Sequence, residues 1–344
     1  MTYLDLGIAI ELDIQTFDRM PLAVLDRAQD RASRLLIREF ARDGVFRVRP
    51  VADETELLDA LRRGRAWVGV AIPEGMLEHL RRQKTVVLKA WLDGSNPVAA
   101  FQVQARLRQA IGRYNARALA ARALLGEAAA PPVSLKLEVR YNPELKTTVF
   151  MVPGVVGLIL TQIAVLLTAL AIVREKETGM LEALISTPVR PAEVVAGKVL
   201  PYFVLAGLDA ALVLAVGKLV FQVPMRGSWA LLLTFLLLFV LGSLGVGILI
   251  STLTRTQIQA IFAGMVYYLP AIFFSGLFFP IEGMPRVLQF FTYLVPLRYF
   301  LEAARGIMLK GLGLEALGVE LAVLLVFAVA SLGLATRAFR KRLA

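Results

Sequence analysis

From residue 149 onward the chain is dominated by long apolar runs, and Val149–Val173, Ser228–Leu253 and Thr256–Ile281 contain no charged residue. Two further runs, Val199–Phe221 and Ala316–Thr336, are interrupted only by Asp209 with Lys218 and by Glu320. A helix rising 1.5 Å per residue needs about 20 apolar residues to cross roughly 30 Å of hydrocarbon. The pattern therefore predicts five membrane spans, at about 149–173, 199–221, 228–253, 256–281 and 316–336. Residues 1–148 are patterned differently. Short β-branched runs bounded by turn residues, Pro21–Leu25, Ala66–Ile72, Thr85–Leu92 and Val133–Tyr141, predict strands. Apolar residues at helical spacing predict helices over Asp30–Ala41 and Glu54–Leu61, and a longer one from Asn96-Pro97 to about Leu125. The expected organisation is an α/β domain with one mixed sheet over 1–148, followed by a transmembrane domain over 149–344.

Charge sets the orientation. Residues 1–148 hold 23 of the 38 basic and 18 of the 27 acidic residues, which leaves 15 and 9 for the apolar remainder. Nine basic residues lie on one side of the predicted spans: Arg174, Lys176, Arg190, Lys198, Arg255, Arg337, Arg340, Lys341 and Arg342. Five lie on the other, Arg226, Arg286, Arg298, Arg305 and Lys310. Because positive loops resist translocation, the C-terminus is expected in the cytoplasm and residues 1–148 outside it. The protein is thus expected in the cell (inner) membrane, as a polytopic α-helical protein with an N-terminal extracytoplasmic α/β domain. A polar domain of that size crosses only behind a signal or a preceding span, and Tyr3–Ile14, broken by Asp5, Glu11 and Asp13, is neither. A sixth, N-terminal transmembrane helix is expected to be missing from this sequence.

Composition narrows the chemistry. With 57% apolar and 19% charged residues the chain is too apolar for a purely soluble protein. The net charge of +11 is spread along the chain without a basic-aromatic RNA motif or zinc-finger spacing, so membrane flanks explain it better than nucleic acid. No cysteine and one histidine, His79, argue against disulfide scaffolds, thiol or Ser-His nucleophiles and a metal site. No phosphate-binding loop is present: Gly197-Lys198 and Gly217-Lys218 are followed by Val and Leu.

The most informative segment, 174–198, lies between the first two spans. It opens with Arg174-Glu175-Lys176-Glu177, places Leu181, Leu184 and Ile185 on one helical face with Glu182 off it, and stops at Thr187-Pro188. Such an amphipathic helix either rests on lipid or docks another protein.

Here the chain resembles a known family. Glu175-x-Glu177-x-Gly179-x-x-Glu182-x-Leu184-x-x-Thr187-Pro188 is similar to the cytoplasmic coupling segment of the second class of ABC export permeases, with Met180 where the family commonly has Thr. Tyr141-Asn142-Pro143-Glu144 followed by Phe150-Met151-Val152-Pro153-Gly154 is similar to the family's entry into its second transmembrane helix. Ser275-Gly276 through Pro280, Met284-Pro285, Pro296, Phe300 and Arg305-Gly306 resemble its exoplasmic re-entrant hairpin. Val24-Leu25-Asp26 and Leu92-Asp93-Gly94-Ser95 also look familiar. The family has six spans with a large domain between the first and second, which independently asks for the missing helix.

The resemblance implies a non-enzymatic permease subunit of an ATP-driven exporter that moves a drug, lipid or other compound out of the cytoplasm by alternating access. It implies no cofactor in this chain, with ATP and Mg held by an ABC ATPase partner. It further implies a second permease, as a homodimer or a related chain, and allows a periplasmic adaptor; lipid is the surroundings. Glu175, Glu177, Gly179, Glu182, Leu184, Thr187 and Pro188 are then the ATPase-coupling residues. The competing readings are a membrane-anchored receptor or assembly factor whose outer domain binds a ligand or protein, and an ion-coupled transporter using Asp209.

Asp209, about ten residues or 15 Å into its span, together with Phe274 and Phe278, is a candidate for the substrate path. The balance of chemistry favours an interhelical hydrogen bond for Asp209 and an interfacial belt for the aromatics. Lys218 is expected to snorkel, and Glu320 to sit at the interface. Gly242, Ser243, Gly245 and Gly247 predict close helix packing, within the chain rather than between chains.

Overall fold

The computed structural model describes residues 19–123, 131–180 and 191–343. The polar part is a five-stranded mixed sheet in the order β2-β1-β3-β4-β5. Its strands are β1 (Met20–Asp26), β2 (Phe46–Pro50), β3 (Val68–Ile72), β4 (Val86–Asp93) and β5 (Val133–Arg140). β1 runs parallel to both β2 and β3, β4 is antiparallel to β3, and β5 is parallel to β4. The central strand β3 is buried throughout, as its unbroken apolar sequence requires. β2 escaped the sequence reading because it is a short edge strand. Its Arg47 and Arg49 and its terminal Pro50 are what an unpaired edge tolerates and what a propensity count discounts.

Helices α1 (Arg31–Ala41) and α4 (Pro97–Ala123) cover one face of the sheet, and α2 (Glu54–Arg62) the other. The short α3 (Met76–Arg81) follows β3. Asp30 and Asp53 cap α1 and α2, accepting from the amides of Ser33 and Glu56 at 2.8 and 2.7 Å. Leu36 and Phe40 of α1 meet Val103 and Leu107 of α4 over Leu22, Val70 and Leu88 of the sheet. The buried Glu39 of α1 ties the two helices together by pairing with Arg113 and Arg117. On the other face α2 sits so low that a Cβ at Gly69 would lie 2.3 Å from a Leu57 methyl.

Among the described residues five helices are long and apolar enough to cross a membrane. They are α5 (Thr147–Glu177), α6 (Pro191–Leu219), α7 (Trp229–Leu253), α8 (Gln257–Phe274) and α11 (Gly318–Leu343). α5 carries one π-helical turn at Ile163–Leu167. α7 is the axis of the bundle and packs along α11, α6 and α5. Its small residues make that possible. A Cβ at Gly242 would lie 2.3 Å from the Phe327 ring, one at Gly245 would strike Ser331, and one at Gly247 would lie 2.7 Å from the Val165 carbonyl. Small-residue packing is therefore used within the chain, as expected.

Two span boundaries differ from the apolar pattern. α6 begins at Pro191, before the apolar run, because proline is tolerated in the first helical turn. The fourth span ends at Phe274 and does not continue to Ile281: Gly276 takes φ +77° and turns the chain. The run stays apolar because Leu277 is buried in the bundle, not because the helix goes on. The chain then continues through α9 (Arg286–Thr292) and α10 (Pro296–Arg305), where Phe300 stacks on Phe239 with ring centroids 4.8 Å apart. A π-helical turn, Gly306–Lys310, and Gly311 at φ +64° lead toward α11.

Candidate functional site

Three consecutive residues at the end of α5 bind three different helices. The Glu175 carboxylate pairs with Lys198 of α6. The Lys176 ammonium donates to the Ser251 and Thr254 carbonyls at the C-terminus of α7. Glu177 accepts from the Gln257 backbone amide at 2.8 Å and from its side-chain amide, at the N-terminus of α8. The signs follow the helix ends: a cation sits on α7's orphan carbonyls and an anion on α8's orphan amides. Gly179 then takes φ +70°, with its amide on the Lys176 carbonyl at 3.2 Å, and terminates the helix. A left-handed residue here explains the glycine of the motif. Of the sequence-identified coupling residues, Glu175, Glu177 and Gly179 are thus placed. Glu182, Leu184, Thr187 and Pro188, and the amphipathic helix itself, lie outside the described residues.

A second cluster joins the sheet domain to the bundle. At the end of β4, Asp93 forms a buried ion pair with Lys310, the two side chains being 8% and 12% exposed. Asp93 also accepts from the Ser95 amide at 2.9 Å. Gly94 has no room for a side chain, since a Cβ would lie 2.8 Å from the Asn142 carbonyl. Asn142 in turn closes the turn into α5, exchanging two 3.0 Å hydrogen bonds with the Lys146 backbone. The Tyr141 ring lies beneath Lys310 and Arg226, at 5.5 and 5.9 Å. Burial, reinforced by the Asp93 charge, pushes its phenol up to about 12. Arg62 of α2 donates to the Gly311 carbonyl at 2.5 Å.

Sequence reading singled out the motifs that contain Asp93 and Tyr141 without seeing that they meet, and Lys310 entered only as a loop charge. The one signal available was that unusual polar residues recur at the ends of elements on both sides of the domain boundary. Beside this junction lies a cavity of about 360 Å³, bordered by Arg62, Asp93, Phe150, Arg305, Lys310 and Glu320 among others. Arg305 donates to the Phe150 and Gly276 carbonyls at 3.4 and 3.1 Å and stacks on the Phe150 ring at 3.7 Å.

The remaining candidates are scattered. Asp209 makes no interhelical hydrogen bond, and its Oδ2 is buried without a partner among the described residues. The expectation of an interhelical bond fails because this stretch of α6 is an outer one, with Leu205 and Leu208 before Asp209 and Leu212 after it exposed. Phe274 packs near Phe291 at 6.1 Å between centroids, while Phe278 is about half exposed. Neither is on a helix that packs closely with α6, so these three residues form no common site. Lys218 lies over the Trp229 ring at 5.3 Å. Glu320 stands at the start of α11, and its Oε2 is buried without a hydrogen bond among the described residues. His79 is exposed, and no group of potential metal ligands is found among the described residues.

The family model described as "ABC-2 family transporter protein" matches residues 6–337. The probable multidrug ABC transporter permease YbhS of Escherichia coli K12 is 33% identical over 290 residues, covering 84% of this chain and 76% of that protein. YbhR of the same organism, also a probable multidrug ABC transporter permease, is 31% identical over 324 residues, 93% of this chain and 86% of that protein. The inner membrane transport permease YhhJ is 28% identical over 330 residues, 93% and 85% of the two chains. The chain is accordingly a multi-pass membrane protein and a permease subunit, not itself an enzyme, and its kind implies an ATPase partner. With the match spanning the sheet domain, the α5 knot and the α9–α10 segment alike, the chain belongs to the ABC-2 family of transporter membrane proteins.

Proposed function

We propose that this protein is the permease of an ATP-driven exporter that carries a drug-like, lipid or other compound out of the cytoplasm. A separate ABC ATPase binds ATP and Mg, and a second permease completes the pore. The α/β domain stands outside the cell membrane, where it can recruit a periplasmic adaptor, and the C-terminus lies in the cytoplasm. The segment 174–198 is the part on which the ATPase acts, with Glu175, Glu177, Gly179, Glu182, Leu184, Thr187 and Pro188 as its coupling residues.

One observation carries this reading: Glu175, Lys176 and Glu177 bind three further helices, α6 through Lys198, α7 at its C-terminus and α8 at its N-terminus. A displacement delivered just beyond Gly179 reaches four helices together, as a rigid-body switch between inward- and outward-open arrangements requires. The receptor alternative has no use for such a knot. The test is substrate-stimulated ATP hydrolysis by the reconstituted permease–ATPase complex. Glu177→Gln is expected to lower the stimulation by about tenfold, within the usual 1–3 kcal/mol range of coupling energies, while the melting temperature of the permease stays put. Full stimulation in both Glu177→Gln and Lys176→Met complexes would sink the coupling role.

A further inference from the structure

The cavity between the sheet domain and the bundle has an uneven account of charge. Each of its cations has partners in the protein: Lys310 has Asp93, Arg62 the Gly311 carbonyl, Arg63 Asp59, and Arg305 the Phe150 and Gly276 carbonyls, although one Arg305 nitrogen, Nη2, is buried without a hydrogen bond among the described residues. Among its carboxylates Asp93 is paired, and Glu302 is held by Arg298 at 2.9 Å. Glu320 has no Lys or Arg partner among the described residues, and its Oε2 lacks any hydrogen bond. The charges that act on it are Glu302, which repels it, and Arg298, which is already committed to Glu302 and to the Thr292 hydroxyl. Glu320 stands at the start of α11, where an ionisable group out of water is costly unless something complements it. Apolar Trp67, Val103 and Leu317 also line the space. At about 360 Å³ the space falls in the range of small-molecule sites.

We propose that this cavity binds an organic cation, an ammonium or guanidinium group on an apolar body, whose charge is received by Glu320 with help from Glu302. The site lies between the sheet domain and the membrane helices, away from the α5 knot, and stands independently of the export reading because occupancy needs no ATPase. The amine is supplied either by a soluble compound or by the headgroup of phosphatidylethanolamine.

The test uses the full chain in nanodiscs of phosphatidylcholine and phosphatidylglycerol, without nucleotide. The probe is the fluorescent primary amine dansylcadaverine, and its N-acetylated, uncharged form is the control. The amine is expected to bind at least tenfold more tightly than the acetylated form, the size of a charge-assisted hydrogen bond. Glu320→Gln should abolish that preference, and Glu302→Gln should reduce it several-fold. Glu320→Gln keeps the side-chain shape and removes an unpaired charge, so it is expected to fold, and an unchanged melting temperature verifies this. Ala316→Trp, which fills the cavity, should remove binding of both probes. Phosphatidylethanolamine added to the nanodiscs competes with the probe if the natural ligand is a lipid headgroup and leaves it untouched if the ligand is soluble; either result keeps the ammonium site. Equal binding of amine and acetylated probe, or an unaltered preference in Glu320→Gln, overturns the proposal.

Discussion

The two ends of α5 are both held by charged side chains, but in opposite styles. Around its entry, Asp93 and Lys310 are nearly sealed from water and surrounded by Tyr141, Asn142 and the closely packed Gly94. At its exit, Glu175 and Glu177 are only partly covered: Glu175 pairs with Lys198, in the third turn of α6, and Glu177 accepts from the N-terminal amide of α8. A buried pair in low dielectric tolerates no half-measures, since separating the partners strands a charge. Partly solvated contacts to helix ends are weaker and replaceable by water. The entry is thus a sealed joint, and the exit a more solvated one whose contacts water can replace.

The largest expected effect follows from the sealed joint. Lys310→Met leaves Asp93 buried and unpaired, and should destabilise the folded chain by about 3–5 kcal/mol. The double variant Lys310→Met with Asp93→Leu should recover most of that loss, as measured by thermal unfolding in detergent. If the single variant melts like the wild type, the entry is not the sealed joint described.

A smaller effect tests the packing that both joints lean on. Gly247→Val directs a methyl group at the Val165 and Ala164 carbonyls of α5. It should cost about 1–3 kcal/mol through overpacking, visible as lower yield of monodisperse protein. At Gly179, where nothing lies within 4 Å but φ is +70°, Gly179→Ala should cost about 1–2 kcal/mol through backbone strain alone. An intact melting curve for the latter would mean that the exit does not depend on a left-handed terminator.

The phenol at the entry gives a pH signature. Tyr141 is raised from 10.0 to about 12 because burial and Asp93 disfavour the phenolate. The protonated form is the one favoured by folding. Its contribution is therefore complete below pH 10 and is lost as pH rises from about 10 to about 12. Tyr141→Phe should flatten that part of the stability profile, and a profile identical to wild type would remove the assignment. The smallest effect is expected far from either joint. The Glu78–Arg82 pair is about two-thirds exposed on both sides, so Glu78→Gln should change stability by less than about 1 kcal/mol.

Much of this was legible without coordinates because membrane helices and buried strands carry their signatures locally. The charge-free runs announce α5, α7 and α8, and β-branched clusters announce β1, β3, β4 and β5, since burial in lipid or in a sheet core demands apolar residues in sequence. The cytoplasmic motif was equally plain, yet its residues could be given only a shared label. That Glu175, Lys176 and Glu177 each serve a different helix depends on Lys198 of α6 and the ends of α7 and α8 converging, and those partners are 23 to 80 residues away along the chain.

Where an apolar run serves the bundle without being a helix, as at Leu277–Ile281, composition misplaces the boundary. Where an edge strand is dressed in arginine, as at β2, composition hides it.

Sequence alone determined that this protein crosses a membrane repeatedly and carries a separate α/β domain, because the hydrophobic effect acts on each segment in proportion to its own apolar surface. Only the tertiary structure decided which charges are satisfied. Lys310 finds Asp93, and Arg305 finds two carbonyls, whereas among the described residues the Glu320 Oε2 finds no hydrogen-bond partner. Electrostatic energy depends on distances between residues that the chain order leaves far apart, and folding alone sets those distances.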